Sequence, residues 1–147
     1  MVQHGRGWMT AGMRGLLMGT ALAIIWSQPG WSDEVSAALV DEGLTNLQAG
    51  DLAGATDTFI AAYEADPSDP MAVFYVGVGM NRMGDFVQAM AAFEEARRLG
   101  YADPELEFES GWALLALGQT DLAIARLEAY EASKPGRGKT SEFLGRA

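Results

Sequence analysis

The chain has 147 residues, the length of one ordinary domain, and 49% of them are hydrophobic, which argues against a wholly disordered chain. It contains no cysteine, so disulfides, thiol nucleophiles and thiolate metal sites are excluded, and its one histidine, His4, lies in a segment expected to be removed. A mature chain with neither residue lacks the commonest general base and the usual transition-metal ligands, so the sequence speaks against an enzyme.

The first element in chain order is an export signal. Arg6 and Arg14 precede an uncharged run, Gly15 to Trp26, and Pro29, Gly30 and Ser32 follow it before the acidic pair Asp33–Glu34. A basic start, an apolar run of 12 residues and small residues ahead of an acidic mature start have the layout of a secretory signal peptide. Residues 1–32 are therefore expected to be cleaved after Ser32, leaving the mature chain in the periplasm or outside the cell. The alternative is an uncleaved anchor that holds the module on the membrane, although a spanning helix needs about 20 apolar residues. Loss of Arg6 and Arg14 leaves eight basic against twenty acidic residues, a net of −12. Residues 33–133 carry net −15, and residues 134–147 carry net +3. An acidic body repels phosphates, so nucleic acid is not an expected partner; the acidity serves solubility or an electrostatic preference for a basic partner.

A repeat of 34 residues fills the rest. Gly43, Gly77 and Gly111 keep that spacing, as do Gly50, Gly84 and Gly118, and Ala55, Ala89 and Ala123; Phe59, Phe93 and Leu127 continue the register. Such a unit reads as helix–turn–helix. In the second unit the first helix is predicted from Pro70 to Met83, stopping at Gly84, and the second from Phe86 to Leu99, stopping at Gly100. Asp69-Pro70 and Asp103-Pro104 place an N-cap acid before a proline at the first helical position, and Asp51, Asp85 and Thr120 mark the starts of the second helices. Glycine inside a helix costs about 1 kcal/mol relative to alanine. Meeting that cost at the same place in every unit implies close approach of a neighbouring helix, faced by Ala55, Ala89 and Ala123. Stacked helix pairs of this kind form a solenoid.

At these residues the chain resembles the tetratricopeptide repeat (TPR) family. The stretch Gly50 to Ala55 with Phe59, Ala62 and Pro67 fits its pattern, as do Met83 to Ala89 with Phe93 and Ala96, and Leu117-Gly118 with Ala123-Ile124. The resemblance covers residues 36–147 and implies an all-α, right-handed α-solenoid of three repeats, 36–69, 70–103 and 104–137. Residues 138–147, with Leu144-Gly145, form either a capping helix or the start of a fourth repeat in a longer envelope protein. Glu42, Asn46, Tyr101 and Tyr130 depart from the pattern.

The family's first helices line a concave groove, and the resemblance assigns Val40, Leu44, Phe74, Val78, Asn81, Arg82, Phe108 and Trp112 to partner binding, with Ala37, Leu47, Met71, Glu105 and Leu115 beside them. Family members that grip a C-terminal carboxylate use lysines, arginines and asparagines at such places; here they are mostly apolar, so that clamp is not expected. Phe74, Phe108 and Trp112 read either as core packing or as anchors for an apolar or amphipathic peptide. Glu105 and Glu109 read as a solvated face or as a preference for a basic residue. The implied function is a non-catalytic protein–protein interaction module of the cell envelope, without cofactor or metal. Asp66 to Pro70 lacks the spacing of a calcium loop, Glu105, Glu107 and Glu109 point in different directions on a helix, and Gly138-Lys139-Thr140 lacks the first glycine of a phosphate loop.

Overall fold

The computed structural model describes residues 30–134, and among them it places six α-helices and no strand: α1 Trp31–Gln48, α2 Leu52–Ala65, α3 Pro70–Met83, α4 Phe86–Arg98, α5 Glu105–Ala116 and α6 Thr120–Ser133. The expected signal peptide apart from its last three residues, and the expected partial fourth repeat, lie outside the described residues. Helix α1 starts at Trp31 and so includes Ser32, ahead of the first repeat position at residue 36.

Local chemistry sets the helix ends. Asp51 Oδ1 accepts from Gly54 N–H at 2.9 Å and Asp69 Oδ1 from Met71 N–H at 2.8 Å, each satisfying a backbone donor left open at a helix start. Pro70 opens α3, where its missing N–H removes nothing. Helix α5 behaves differently. Asp103 Oδ1 accepts from Glu105 N–H at 2.9 Å, Pro104 takes the cap position, and the helix proper starts at Glu105. The N–H groups of Leu106 and Glu107 reach back only three residues, to Asp103 and Pro104, so a tight first turn precedes the regular α-helix. At α6 the cap is Gln119, with Thr120 already helical. Gly84 closes α3 at φ +86°, a left-handed conformation that costs glycine little, and Asp85 N–H bonds back to Met80 O at 2.9 Å.

The helices pair as α1–α2, α3–α4 and α5–α6, and each second helix packs on the first helix of the next pair. Neighbouring first helices, α1 with α3 and α3 with α5, approach one another more than neighbouring second helices do, so the stack bends with the first helices inside. Its core is made at the repeated small residues. A Cβ on Gly77 would stand 2.5 Å from Phe93 Cε1, and one on Gly111 would stand 2.8 Å from Leu127 Cδ2; Phe59 closes on Gly43 in the same way. Phe59, Phe93 and Leu127 are buried beside Ala55, Ala89 and Ala123. Glycine is therefore the space that lets each second helix seat its large side chain. The departures from the pattern have structural counterparts. Tyr130 is fully buried and its hydroxyl hydrogen-bonds Glu105 Oε1 at 3.2 Å. Asn46 Nδ2 donates to Thr58 Oγ1 at 3.3 Å, while Glu42 is exposed.

Candidate interaction face

The inner surface is built by α1, α3 and α5. In α1, Asp41 is exposed and Leu44 and Leu47 are partly buried; in α3, Met71 is 38% exposed and Tyr75 and Arg82 are partly buried; in α5, so are Glu105, Phe108, Trp112 and Leu115. The eight residues assigned to partner binding divide between this surface and the core. Val40, Phe74, Val78 and Asn81 are buried at 5% exposure or less, while Leu44, Arg82, Phe108 and Trp112 keep partial access to solvent.

Each buried member has a packing partner. Phe74 stacks on Tyr101 with ring centroids 4.5 Å apart, meets Tyr75 edge-on at 5.1 Å and lies 5.9 Å from Phe93. Tyr101, at the place where the repeat pattern has proline, thus completes the core of the second unit. Phe108 packs on Tyr130 at 5.3 Å. Tyr75 stacks on Phe59 at 5.2 Å and joins the first unit to the second. Val40 packs with Ala62 and Ala72.

A polar cluster joins α3 to α5 across the inner face. Arg82 Nη1 and Nη2 donate to Glu109 Oε2 at 2.9 Å and Oε1 at 2.6 Å, a bidentate pair. Asn81 Nδ2 donates to Glu109 Oε2 at 3.0 Å and to its backbone oxygen at 3.1 Å. The Arg82 guanidinium lies 4.4 Å from the centre of the Trp112 ring, within cation–π range. The Glu109 side chain is 8% exposed. This corrects the reading of Glu109 as a solvated face: its carboxylate is out of water because a guanidinium and an amide satisfy it. Asn81 and Arg82 are the inner-face residues that could hold a terminal carboxylate, and Glu109 already occupies them.

A second polar group sits where α5 begins and α6 ends. Lys134 Nζ lies 3.3 Å from Asp103 Oδ1 and 3.2 Å from Glu105 Oε1, with the Tyr130 ring beneath it at 5.8 Å. Burial raises the pKa of the Tyr75 hydroxyl, and the charges of Asp103, Asp41 and Glu105 raise it further. Burial also pushes the Tyr101 hydroxyl far up, helped by Tyr75, Asp103, Glu105 and Asp69. Both phenols therefore stay protonated in a negative local field. On the sides of α4, α5 and α6, Arg97 and Arg126 share Glu94 and Glu107. Desolvation alone would raise the Glu107 pKa, but hydrogen bonds and charge from Arg97 and Arg126 outweigh it and hold the carboxyl below its ordinary value.

Nothing in the helical spacing points to Tyr75, Tyr101 or the cap Asp103 as part of this face; Tyr101 is legible only as a departure from the repeat pattern. Among the described residues no group of three or more acidic or histidine side chains is placed to hold a metal ion, and no helix is long and apolar enough to cross a membrane.

No protein-family model matches the chain, and no curated protein matches it. Solved structures do. The first TPR domain of human RPAP3 superposes with a TM-score of 0.70 at 19% identity, over 78% of this chain and 90% of that one, and another structure of that domain holds an HSP90 peptide. The TPR domain of Arabidopsis OM64 gives 0.70 at 15% identity, over 78% and 94%. The Yersinia enterocolitica type III secretion chaperone SycD, in complex with a peptide of the translocator YopD, gives 0.63 at 19% identity, over 80% and 90%. These likenesses, with the helix pairs and the glycine-to-aromatic packing, establish an all-α solenoid with the tetratricopeptide repeat fold.

Proposed function

We propose that the chain is a non-catalytic interaction module of the cell envelope that holds an apolar or amphipathic peptide segment against α1, α3 and α5. The observation that carries this reading is Trp112. It stays partly exposed on α5, with its ring under the Arg82 guanidinium that Glu109 holds, and Leu44, Leu47 and Met71 are further apolar side chains of α1 and α3 that keep access to solvent. A partly exposed aromatic next to a fixed polar pair suits an interface anchor. That SycD takes a YopD peptide and RPAP3 an HSP90 peptide supports peptide binding as a use of this fold. The envelope location rests on the basic start and apolar run of residues 1–32.

A peptide library displayed on phage and panned on the full chain tests the binding. Enrichment is expected, and Trp112→Ala or Leu44→Asp should lower the affinity of selected peptides about tenfold or more. Absence of enrichment, or affinities unchanged in both variants, would contradict the reading. For export, the mass of the mature N-terminus should show loss of residues 1–32; a full-length chain in the membrane fraction would show an anchor.

A further inference from the structure

The rim of the inner face carries several carboxylates, and the described cations are already engaged. Among the described residues Arg82 is held by Glu109, Arg97 and Arg126 by Glu94 and Glu107, Arg98 by Glu95, and Lys134 by Asp103 and Glu105. No described cation remains to meet Asp41 or Asp69. Asp69 receives the Ser36 hydroxyl at 2.8 Å and its capping N–H, and both are neutral donors.

The chain also shows how this edge receives an ammonium group. Lys134 rests on a tyrosine ring between two carboxylates at the start of its own unit. One repeat earlier Gly100, Asp69, Met71 and Ala96 stand at the positions of Lys134, Asp103, Glu105 and Tyr130, so the equivalent place keeps one carboxylate and has no cation. Tyr75 and Tyr101 lie there, half-buried, with the field of Asp41, Asp69, Asp103 and Glu105 around their hydroxyls. Leu44 follows Asp41 by one turn in α1, Met71 follows Asp69 at the start of α3, and Trp112 lies on α5, each with access to solvent. An acidic occupant would meet repulsion at the rim and find Arg82 neutralised.

We infer that the inner face selects a basic amphipathic peptide segment, its apolar side chains on Leu44, Met71 and Trp112 and its lysines or arginines against Asp41, Asp69, Asp103 and Glu105. This deepens the proposed function and rests on it. The choice of occupant follows from charge complementarity, which governs selection between partners and the rate of encounter.

The test uses the full chain and three labelled helical peptides with identical apolar positions, whose remaining positions are lysine, glutamate or glutamine. The lysine peptide should bind about tenfold or more tightly than the glutamate one, with the glutamine peptide between. Raising the salt from 50 to 500 mM should remove most of that preference, because exposed charges are screened. Asp41→Asn combined with Asp103→Asn and Glu105→Gln should reduce it to less than about threefold, with helical circular dichroism retained because amides keep the cap and the Tyr130 bond. Equal or tighter binding of the glutamate peptide, or a preference that survives the neutral variant, would overturn the inference while leaving peptide binding intact. Failure of all three peptides, and of library-selected ones, would overturn the underlying reading as well. A sedimentation mass that doubles with concentration and blocks the lysine peptide would give the face to a second copy and overturn the assignment.

Discussion

Glu109 decides the chemistry of the inner face. Its carboxylate takes both guanidinium arms of Arg82 and the amide of Asn81, so three polar side chains are fixed and Trp112 receives a cationic cover. Glu109→Ala should lower stability by about 2 kcal/mol, because a buried amide loses its acceptor and the guanidinium its partner; thermal denaturation checks this, and an unchanged midpoint would show the pair to be idle. Glu107 contributes to the acid side of the stability profile. The Glu107 carboxyl has a lowered folded pKa, so it contributes stability above its ordinary value of 4.5 and loses it as pH falls through the folded value. Between pH 5 and 3 the wild-type midpoint should therefore drop, and Glu107→Gln should drop less over that interval. At this scale the sequence was only partly legible. Phe74, Val78 and Trp112 all stood at inner-face positions of a first helix, yet Phe74 and Val78 are buried and Trp112 is not. Helical spacing gives direction from one axis and does not reveal that Tyr101, in a loop, closes over Phe74. Glu109 was obscure for the same reason, since its partner lies in the preceding unit.

Helices are where sequence and structure agree most closely. The glycine and aspartate signals mark the ends of α3 to within the described bounds, and Leu99 caps α4 one residue earlier than the predicted stop. Pro104 was placed inside α5 and instead caps it, because Asp103 and Pro104 together wind a tighter turn. The glycine at each first-helix centre gives the sharpest test at this scale. Gly77→Ala would bring a methyl to 2.5 Å from the Phe93 ring. Overpacking of about 1–3 kcal/mol outweighs the helix gain of about 1 kcal/mol, so the variant should be less stable, and Gly77→Leu should not fold. Circular dichroism melts of the two variants settle this. A Gly77→Ala protein more stable than wild type would mean that the helix pair tolerates a wider separation.

The whole molecule combines a simple architecture with an uneven charge. Regular repetition made the solenoid readable, since each unit repeats the same glycine and alanine and a large apolar residue, Phe59, Phe93 or Leu127, in register. The binding surface proposed here follows from the fold's arrangement of first helices on the inside and could be drawn from the sequence only in outline. The negative rim around Tyr75 and Tyr101 emerges only when Asp41, Asp69, Asp103 and Glu105, from three units, are brought together. A peptide lying on the inner face would shield the backbone of the first helices, and amide hydrogen exchange of the full chain, with and without a library-selected peptide, reads this out. Slowed exchange is expected in α1, α3 and α5, with a much smaller change in α2, α4 and α6. Protection confined to the second helices, or none at saturating peptide, would contradict that placement.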